Sequence, residues 1–315
     1  MNFAQRTGTE YHICRRARRE DIRNSMHLWA GDRALYEPDV WSRLPAFLEV
    51  LMQRDLVSFA VVESIPSKIL RLLGGVSFIH PKYIDEAKAD GSTLLNMVMR
   101  AGMENREPFL SVKEVAQENA RGELWCLTLL GNMQGIDLAD PTMADFYRAS
   151  NEGHKFFHLG YAFRAIWMEV WPPKHVQELQ EVGMSVDRQL PIAGGRAAAL
   201  MRLTREEALA RPFARFSGLF FPPKPRFRLS VGEQRLLEYS LLDVSDEEAT
   251  EELHLSEDAV KKRWRSIYSK VDVAHPALLE GCGSGAARRR ALLHYLRKHL
   301  EELRPYHYAR QCKRL

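Results

Sequence analysis

Five side chains in the stretch LSEDAVKKRWRSIYSKVDV, residues 255 to 273, have the chemistry of polyanion contact. Lys261, Lys262, Arg265, Ser269 and Lys270 supply ammonium, guanidinium and hydroxyl donors, the groups that meet phosphate oxygens and base edges in duplex DNA. On a helix, Val260, Trp264, Ile267, Tyr268 and Val271 recur on one apolar face and leave Lys261, Lys262, Arg265 and Ser269 roughly opposite, with Arg263 and Lys270 flanking the stripe. A charge run alone is usually just a solvated helix face. The setting points further. Ser230 with Glu233, and Ser245 with Glu248, each have the spacing of a capping box, and Ser256 stands where a third helix would begin. Three short helices in tight succession, the last one basic, make a helix-turn-helix whose second member would enter a major groove. The acids of the preceding helix, Asp246, Glu247, Glu248, Glu251 and Glu252, suit a first turn and outer face but would repel phosphates if turned toward them.

Residues 229 to 273 resemble the LuxR/GerE-type DNA-binding domain, aligning without a gap through Leu229-Ser230, Glu233, Leu237, Ser245, Glu248, Leu253, Leu255-Ser256, Val260-Lys261, Ile267, Lys270 and Val273. The resemblance implies that Lys261, Lys262 and Arg265 meet DNA in the major groove, with Lys270 near a phosphate. Asp243, Ala249, Thr250, Ala259, Arg263 and Asp272 depart from the family's usual residues. The family ends in a dimerisation helix. Here HPALLEGCGSG reads as an inserted loop, after which AARRRALLHYLRKHLEEL offers Leu292, Leu293, Leu296, Leu300 and Leu303 as a face to pair with a second copy. Arg288, Arg289, Arg290, Arg297, Lys298, Arg304, Arg310, Lys313 and Arg314 on its other face and in the tail suggest an accessory phosphate contact or a merely solubilising surface.

Other residues carry weaker chemical signals. Glu169, within FRAIWMEVW, has the chemistry of a general base, although a strand glutamate is more often solvated or salt-bridged. His154, His158 and His175 lack a recognised ligand spacing, and the cysteines Cys14, Cys126, Cys282 and Cys312 form neither a Cys-x-x-Cys pair nor a zinc pattern. Trp125, Phe156, Phe157, Phe163, Trp167 and Trp171 suit a core better than a ligand pocket. No metal, no cofactor and no catalytic residue is assigned. With 45 basic and 41 acidic residues the net charge of +4 is too mild to mark a nucleic-acid coat or a membrane binder. Without a signal-peptide core or a bilayer-length apolar run, a cytoplasmic location is expected.

The elements that must position these groups fall on either side of FFPPKPRFR, residues 220 to 228, where prolines impose an extended path. The expected division is an α/β (GNAT-like α+β) block over 1–215, a proline-rich linker over 216–228, and a small all-α helix-turn-helix domain with a basic terminal helix over 229–315. Within the first block, ICRRARREDIRNSMHLW predicts a strand running into a helix, and SFAVVES with LLGGVSFIHP predicts two strands. ELWCLTLL and FRAIWMEVW read as buried strands, with the helices PTMADFYRASNEGHKFF and PKHVQELQEVGM around them and SVDRQLP and AALMRLT as final strands.

That order resembles GNAT-type acyltransferases, which the resemblance endows with an Arg/Gln-x-x-Gly-x-Gly/Ala loop cradling the pyrophosphate of acetyl-CoA. The matching stretch QGIDLADPTM keeps Gln134 and Ala139 but has Asp137 for the central glycine, while Asp140 and Pro141 suit an N-cap and first helical position. VQELQEVGM keeps Gly183 of the family's late segment but has Leu179 where its tyrosine acid stands. The expectation is therefore a sequence-specific DNA-binding transcriptional regulator, not an enzyme. It would bind double-stranded DNA as a homodimer and sense a small-molecule or protein signal in its first domain. The alternative is an acyl-CoA-dependent N-acyltransferase fused to a DNA-binding module. A third possibility is likeness to acyl-homoserine-lactone receptors, whose Trp/Tyr/Asp cluster is not traceable here.

Overall fold

The structure, a computed structural model, describes residues 11–29, 33, 36–130, 143–170, 174–192, 196–212, 216–242 and 244–308. The chain divides into two units. The first takes the described residues through Ser111, Trp125–His158 and those from Ala165 to before Phe216; the second takes Val112–Leu124, Leu159–Arg164 and those from Phe216 on.

In chain order the stretch before Phe216, which contributes to both units, holds β1 (Tyr11–Arg16), α1 (Arg19–Asn24), α2 (Met26–Trp29), α3 (Pro38–Gln53), β2 (Val57–Ile65) and β3 (Leu70–Phe78). Then come α4 (Lys82–Asp90), α5 (Leu94–Met103), α6 (Val112–Arg121), β4 (Leu124–Leu130), α7 (Ala144–His158) and β5 (Phe163–Val170). It closes with α8 (Lys174–Glu181), β6 (Ser185–Ile192), β7 (Arg196–Thr204) and α9 (Arg205–Ala210). All seven strands match the expected runs. The helix α3 and the helices α4 to α6 between β3 and β4 were not anticipated, although the punctuation of α4 and α5 is visible afterwards. Gly91 ends α4 in the left-handed conformation at φ 71°, and Thr93 caps α5 by accepting the Asn96 N–H at 3.1 Å.

The strands form one seven-stranded sheet in the order β1-β2-β3-β4-β5-β7-β6. β1 to β4 make an antiparallel arm, and β5, β7 and β6 make another. The arms meet where β4 and β5 lie side by side, linked in the chain through α7. β5 is buried on both faces, which is why FRAIWMEV reads as a nearly continuous apolar run. Leu44 and Leu48 of α3, Val98 of α5 and the sheet residues Phe59, Leu127 and Trp167 belong to one core, whereas Val62 and Leu72 meet Phe146 and Ala149 of α7 in a smaller one. Each such side chain contributes roughly 1.5–3 kcal/mol on burial. At the sheet's edge Arg15 donates to both oxygens of Asp21, at 2.6 and 2.9 Å, and to Glu63 at 2.6 Å, tying β1 to α1 and β2.

In the second unit the segment after a 3-10 turn at Ser217–Phe220 runs extended, as its prolines predict, and is fixed in place. The backbone N–H groups of Arg226 and Phe227 donate to the Glu302 carboxylate at 2.8 Å, and Phe227 is 1% exposed. α10 (Val231–Leu241), α11 (Asp246–Glu252) and α12 (Glu257–Ala274) follow. Both capping boxes form, Ser230 with Glu233 and Ser245 with Glu248, and Ser256 accepts the Ala259 N–H to start α12. Asp243 lies outside the described residues. The expected inserted loop opens as a short helix, α13 (Pro276–Leu279), before α14 (Gly285–Leu296) and a 3-10 turn at Leu300–Leu303.

Two expectations for the terminal helix change. Leu292, Leu296, Leu300 and Leu303 are buried within this unit, so they do not form an open face for a second copy. Arg304, 2% exposed, donates to the Leu159 carbonyl at 2.9 Å and to Glu238 at 2.8 Å, and its guanidinium lies 4.8 Å from the Tyr161 ring centroid, so it is not available to a phosphate. Gly160 has φ 90°, and a Cβ there would lie 2.6 Å from the Glu301 nitrogen. Gly160→Ala combines a left-handed backbone penalty with a collision against main chain. It is predicted to destabilise the protein by about 2–4 kcal/mol, read as a lower urea midpoint at unchanged slope.

Candidate functional site

Two groups of residues have chemistry to offer, one on the sheet and one on α12. On β4, Cys126 and Thr128 point to the same side, and Thr128 lies 3.1 Å from His158 Nε2 at the end of α7. The Nδ1 of that ring is 2.9 Å from the His154 carbonyl, which can only accept, so Nδ1 donates to it. The His154 ring stacks on His158 at 4.0 Å. Thr128 and His158 are 3% and 2% exposed, and Cys126 is pushed up to about 12 by burial against a weaker pull from Thr128. This is a buried hydrogen-bonded cluster whose thiol lacks the thiolate character a nucleophile needs. Sequence reasoning took His154 and His158 for ordinary histidines and missed the pairing with Thr128, whose only signal is a polar residue inside an apolar strand. The side chain of His175 lies outside the described ones, and among the described residues no group of three or more His, Cys, Asp and Glu could hold a metal.

Glu169 is 6% exposed and accepts the backbone N–H groups of Leu94 and Leu95, the latter at 2.9 Å, at the start of α5. Its carboxylate holds a helix N-terminus, the favourable end for negative charge. Burial nevertheless raises it to about 7, against lowering by the Leu95 and Leu94 N–H groups and Arg188. On α7, Asp145 occupies the first turn and receives the His12 N–H and Arg148. Burial would raise Asp145, but these partners outweigh it and hold it below the usual carboxylate range. The loop residues Gln134, Asp137, Ala139, Asp140 and Pro141 lie outside the described residues, as does Trp171. Leu179 sits on α8, and Gly183 ends that helix with φ 107°.

On α12, Val260, Trp264, Ile267 and Val271 are buried, as the periodicity requires, and Lys261, Lys262, Arg265 and Ser269 are exposed. Lys261 pairs across one helical turn with Glu257 at 3.3 Å, an exposed contact of about 0–1 kcal/mol that a phosphate can replace. Lys270 is engaged differently. It donates to Glu233, which also accepts from Ser266 at 2.6 Å and from the Ser230 backbone at 2.6 Å. Burial works to raise Glu233, but Lys270, Ser266 and Ser230 together hold it below its ordinary value. Arg263 reaches the Gly232 carbonyl at 3.3 Å. Of the acids on α11, Asp246 is bound by both guanidinium nitrogens of Arg289 at 2.7 and 2.9 Å, and the Arg289 guanidinium also lies 4.5 Å from the Trp264 ring centroid.

No protein-family model matches the chain, and no curated protein does. Solved structures that match include FeeM, an N-acyl amino acid synthase from uncultured soil microbes, at 9% identity over 65% of this chain and 98% of that one, with a TM-score of 0.37. Another is the aminoglycoside acetyltransferase AAC(6')-Ib in complex with coenzyme A and kanamycin, at 13% identity over 64% and 99%, with a TM-score of 0.30. FdhC, a nucleotide-linked sugar GNAT, matches at 9% identity over 67% and 96%, also at 0.30. The described residues form a mixed α/β architecture with one seven-stranded sheet, its strands following one another in the expected order. Two expectations are corrected. The structures that match include an N-acyl amino acid synthase and an aminoglycoside acetyltransferase, which runs against the sequence-specific transcriptional regulator with a sensing domain and against the reading of the chain as no enzyme, and both are withdrawn.

Two substitutions probe the buried carboxylates. Because Glu169 is raised in the folded state, its contribution is fully present below the unfolded value of 4.5 and is lost as pH rises through about 7. Urea melts of wild type against Glu169→Gln from pH 4 to 8 should differ by a pH-dependent term on the order of 3 kcal/mol that the variant lacks. Glu233→Gln leaves Lys270 without its charge partner and is predicted to cost about 2–3 kcal/mol, seen as a lower Tm.

Proposed function

We propose that the chain is an acyltransferase that moves an acyl group from a thioester donor such as acyl-CoA to an amine, and that its α10–α12 segment is a helix-turn-helix module for double-stranded DNA. The observation that carries the first part is the junction of β4 and β5. There one antiparallel arm gives way to the other and the chain passes between them through α7, and in this reading donor and acceptor are held at those strand ends.

A donor and an acceptor held there would react by attack of the amine nitrogen on the thioester carbonyl. The new C–N bond replaces the C–S bond, the amine proton passes to solvent and the departing thiolate takes up a proton. Positioning of the two reactants supplies the larger share of the rate, since alignment alone is worth several kcal/mol. Glu169 and the Thr128–His158 pair support the scaffold in this scheme, and neither is the base. Asp145 bears on the donor. A carboxylate in the first turn of α7 opposes a pyrophosphate at that helix end, so the acyl chain and the arm bearing its thioester would carry most of the donor's affinity.

For the second part, the support is the set of exposed donors Lys261, Lys262, Arg265 and Ser269 along α12, opposite its buried stripe. Lys270, bound to Glu233, acts by holding α12 to α10, and through α12 it orients that set.

Calorimetry with acetyl-CoA and longer acyl-CoAs is expected to give micromolar binding that tightens with chain length. Asp145→Asn should strengthen it three- to tenfold, whereas absence of binding by every acyl-CoA would remove the transferase reading. For the module, Lys262→Gln with Arg265→Gln should reduce the magnitude of the slope of log affinity against log salt on duplex DNA by about 2. An unchanged slope would remove α12 from the interface.

A further inference from the structure

Two neighbouring clefts in the second unit share the walls Lys224, Arg228, Tyr306 and Tyr308. One, of about 490 Å3, extends to Gln117 and Arg121 of α6; the other, of about 410 Å3, extends to Arg226 and to Ala274 at the end of α12. Four cationic side chains face these spaces, and among the described residues no carboxylate lines either. Lys224, Arg226 and Arg228 are exposed, and Arg121 is paired with Glu118 at 2.9 Å. The aromatic component is equally specific. The Tyr306 and Tyr308 rings lie 5.0 Å apart at 55°, and the Arg228 guanidinium is 5.2 Å from the Tyr308 centroid.

Several contacts hold this arrangement in place. The His307 N–H donates to the Ala116 carbonyl at 2.9 Å, Glu302 takes the Arg226 and Phe227 N–H groups, and the Tyr308 hydroxyl lies 3.4 Å from the Pro225 carbonyl. Arg228 itself has φ 50°, a conformation a side-chain-bearing residue adopts at a cost, and one that aims its guanidinium across Tyr308. Cations beside aromatic faces, at a width of a few hundred Å3, are the chemistry that takes a phosphate and a planar ring together.

We propose that this double cleft binds a nucleotide unit, its phosphate on Lys224, Arg226 and Arg228 and its base against Tyr306 or Tyr308. The unit would come either as a free nucleoside polyphosphate or as part of a single strand, for which two clefts with a common wall suit consecutive nucleotides. The site is separate from the β4–β5 junction and from the exposed donors of α12, so it stands or falls independently of the transferase reading.

The test uses the full chain carrying Lys261→Gln, Lys262→Gln and Arg265→Gln, so that α12 does not contribute. Calorimetry is run at about 100 mM salt with ATP, inorganic tripolyphosphate and an eight-residue oligothymidylate. ATP or the oligonucleotide is expected to bind at least tenfold more tightly than tripolyphosphate. Lys224→Gln and Arg228→Gln should each weaken that binding threefold or more, and Tyr308→Leu should abolish the advantage over tripolyphosphate. Lys224 is exposed, so its variant keeps the test valid if Tyr308→Leu fails to fold. Tighter binding of the oligonucleotide assigns the site to a strand, and tighter binding of ATP assigns it to a free nucleotide. No binding of either below millimolar concentration, tripolyphosphate binding as tightly as both, or full binding by Lys224→Gln and Arg228→Gln overturns the proposal.

Discussion

The second unit depends on taking the guanidinium of Arg304 out of water. At 2% exposure a full positive charge is tolerable only if its donors are met, and they are met by Glu238 of α10, the Leu159 carbonyl and the face of Tyr161. Those partners come from widely separated stretches of chain. Removing one partner of such a buried pair costs about 3–5 kcal/mol, because the other charge stays behind. Glu302 repeats the logic two residues earlier by accepting the Arg226 and Phe227 N–H groups. Burial raises Glu302 against the lowering by those N–H groups, so its place is secured by geometry. Together the two residues explain why a proline-rich run is held in one path and why a terminal helix with a leucine stripe packs inward.

On the sheet the governing constraint is topological. Antiparallel neighbours can follow one another through short turns, whereas β4 and β5 are linked through α7, and one core packs against both arms. Glu169 and the Thr128–His158 pair stiffen the surroundings by satisfying buried polar groups, with Glu169 holding the start of α5 and His158 closing the end of α7 on β4. Rigid neighbours are what a reaction driven by positioning requires.

Much of this was legible in the amino acids because the signals were local. Strands such as FRAIWMEV show themselves as apolar runs, and Ser230 with Glu233 or Ser245 with Glu248 mark helix starts within four residues. What stayed hidden depended on partners far apart in sequence. Lys270 reads as a phosphate ligand until Glu233, 37 residues earlier, is found beneath it. Arg304 reads as part of a basic tail until Leu159, 145 residues earlier, meets it. The helices α4 to α6 were missed because short segments with mixed polarity give little periodicity, and Glu169 because a strand position does not reveal which helix its carboxylate will meet. The departure at Asp137 lies outside the described residues.

The most direct measurement is formation of the product. The purified full chain, incubated with a panel of acyl-CoAs and small amines, is assayed by mass spectrometry for N-acylated amine together with stoichiometric free thiol. The account predicts one amide formed per thiol released, at a rate proportional to protein concentration. Thiol release at the rate of a protein-free control, with no amide from any donor and acceptor pair, would contradict it.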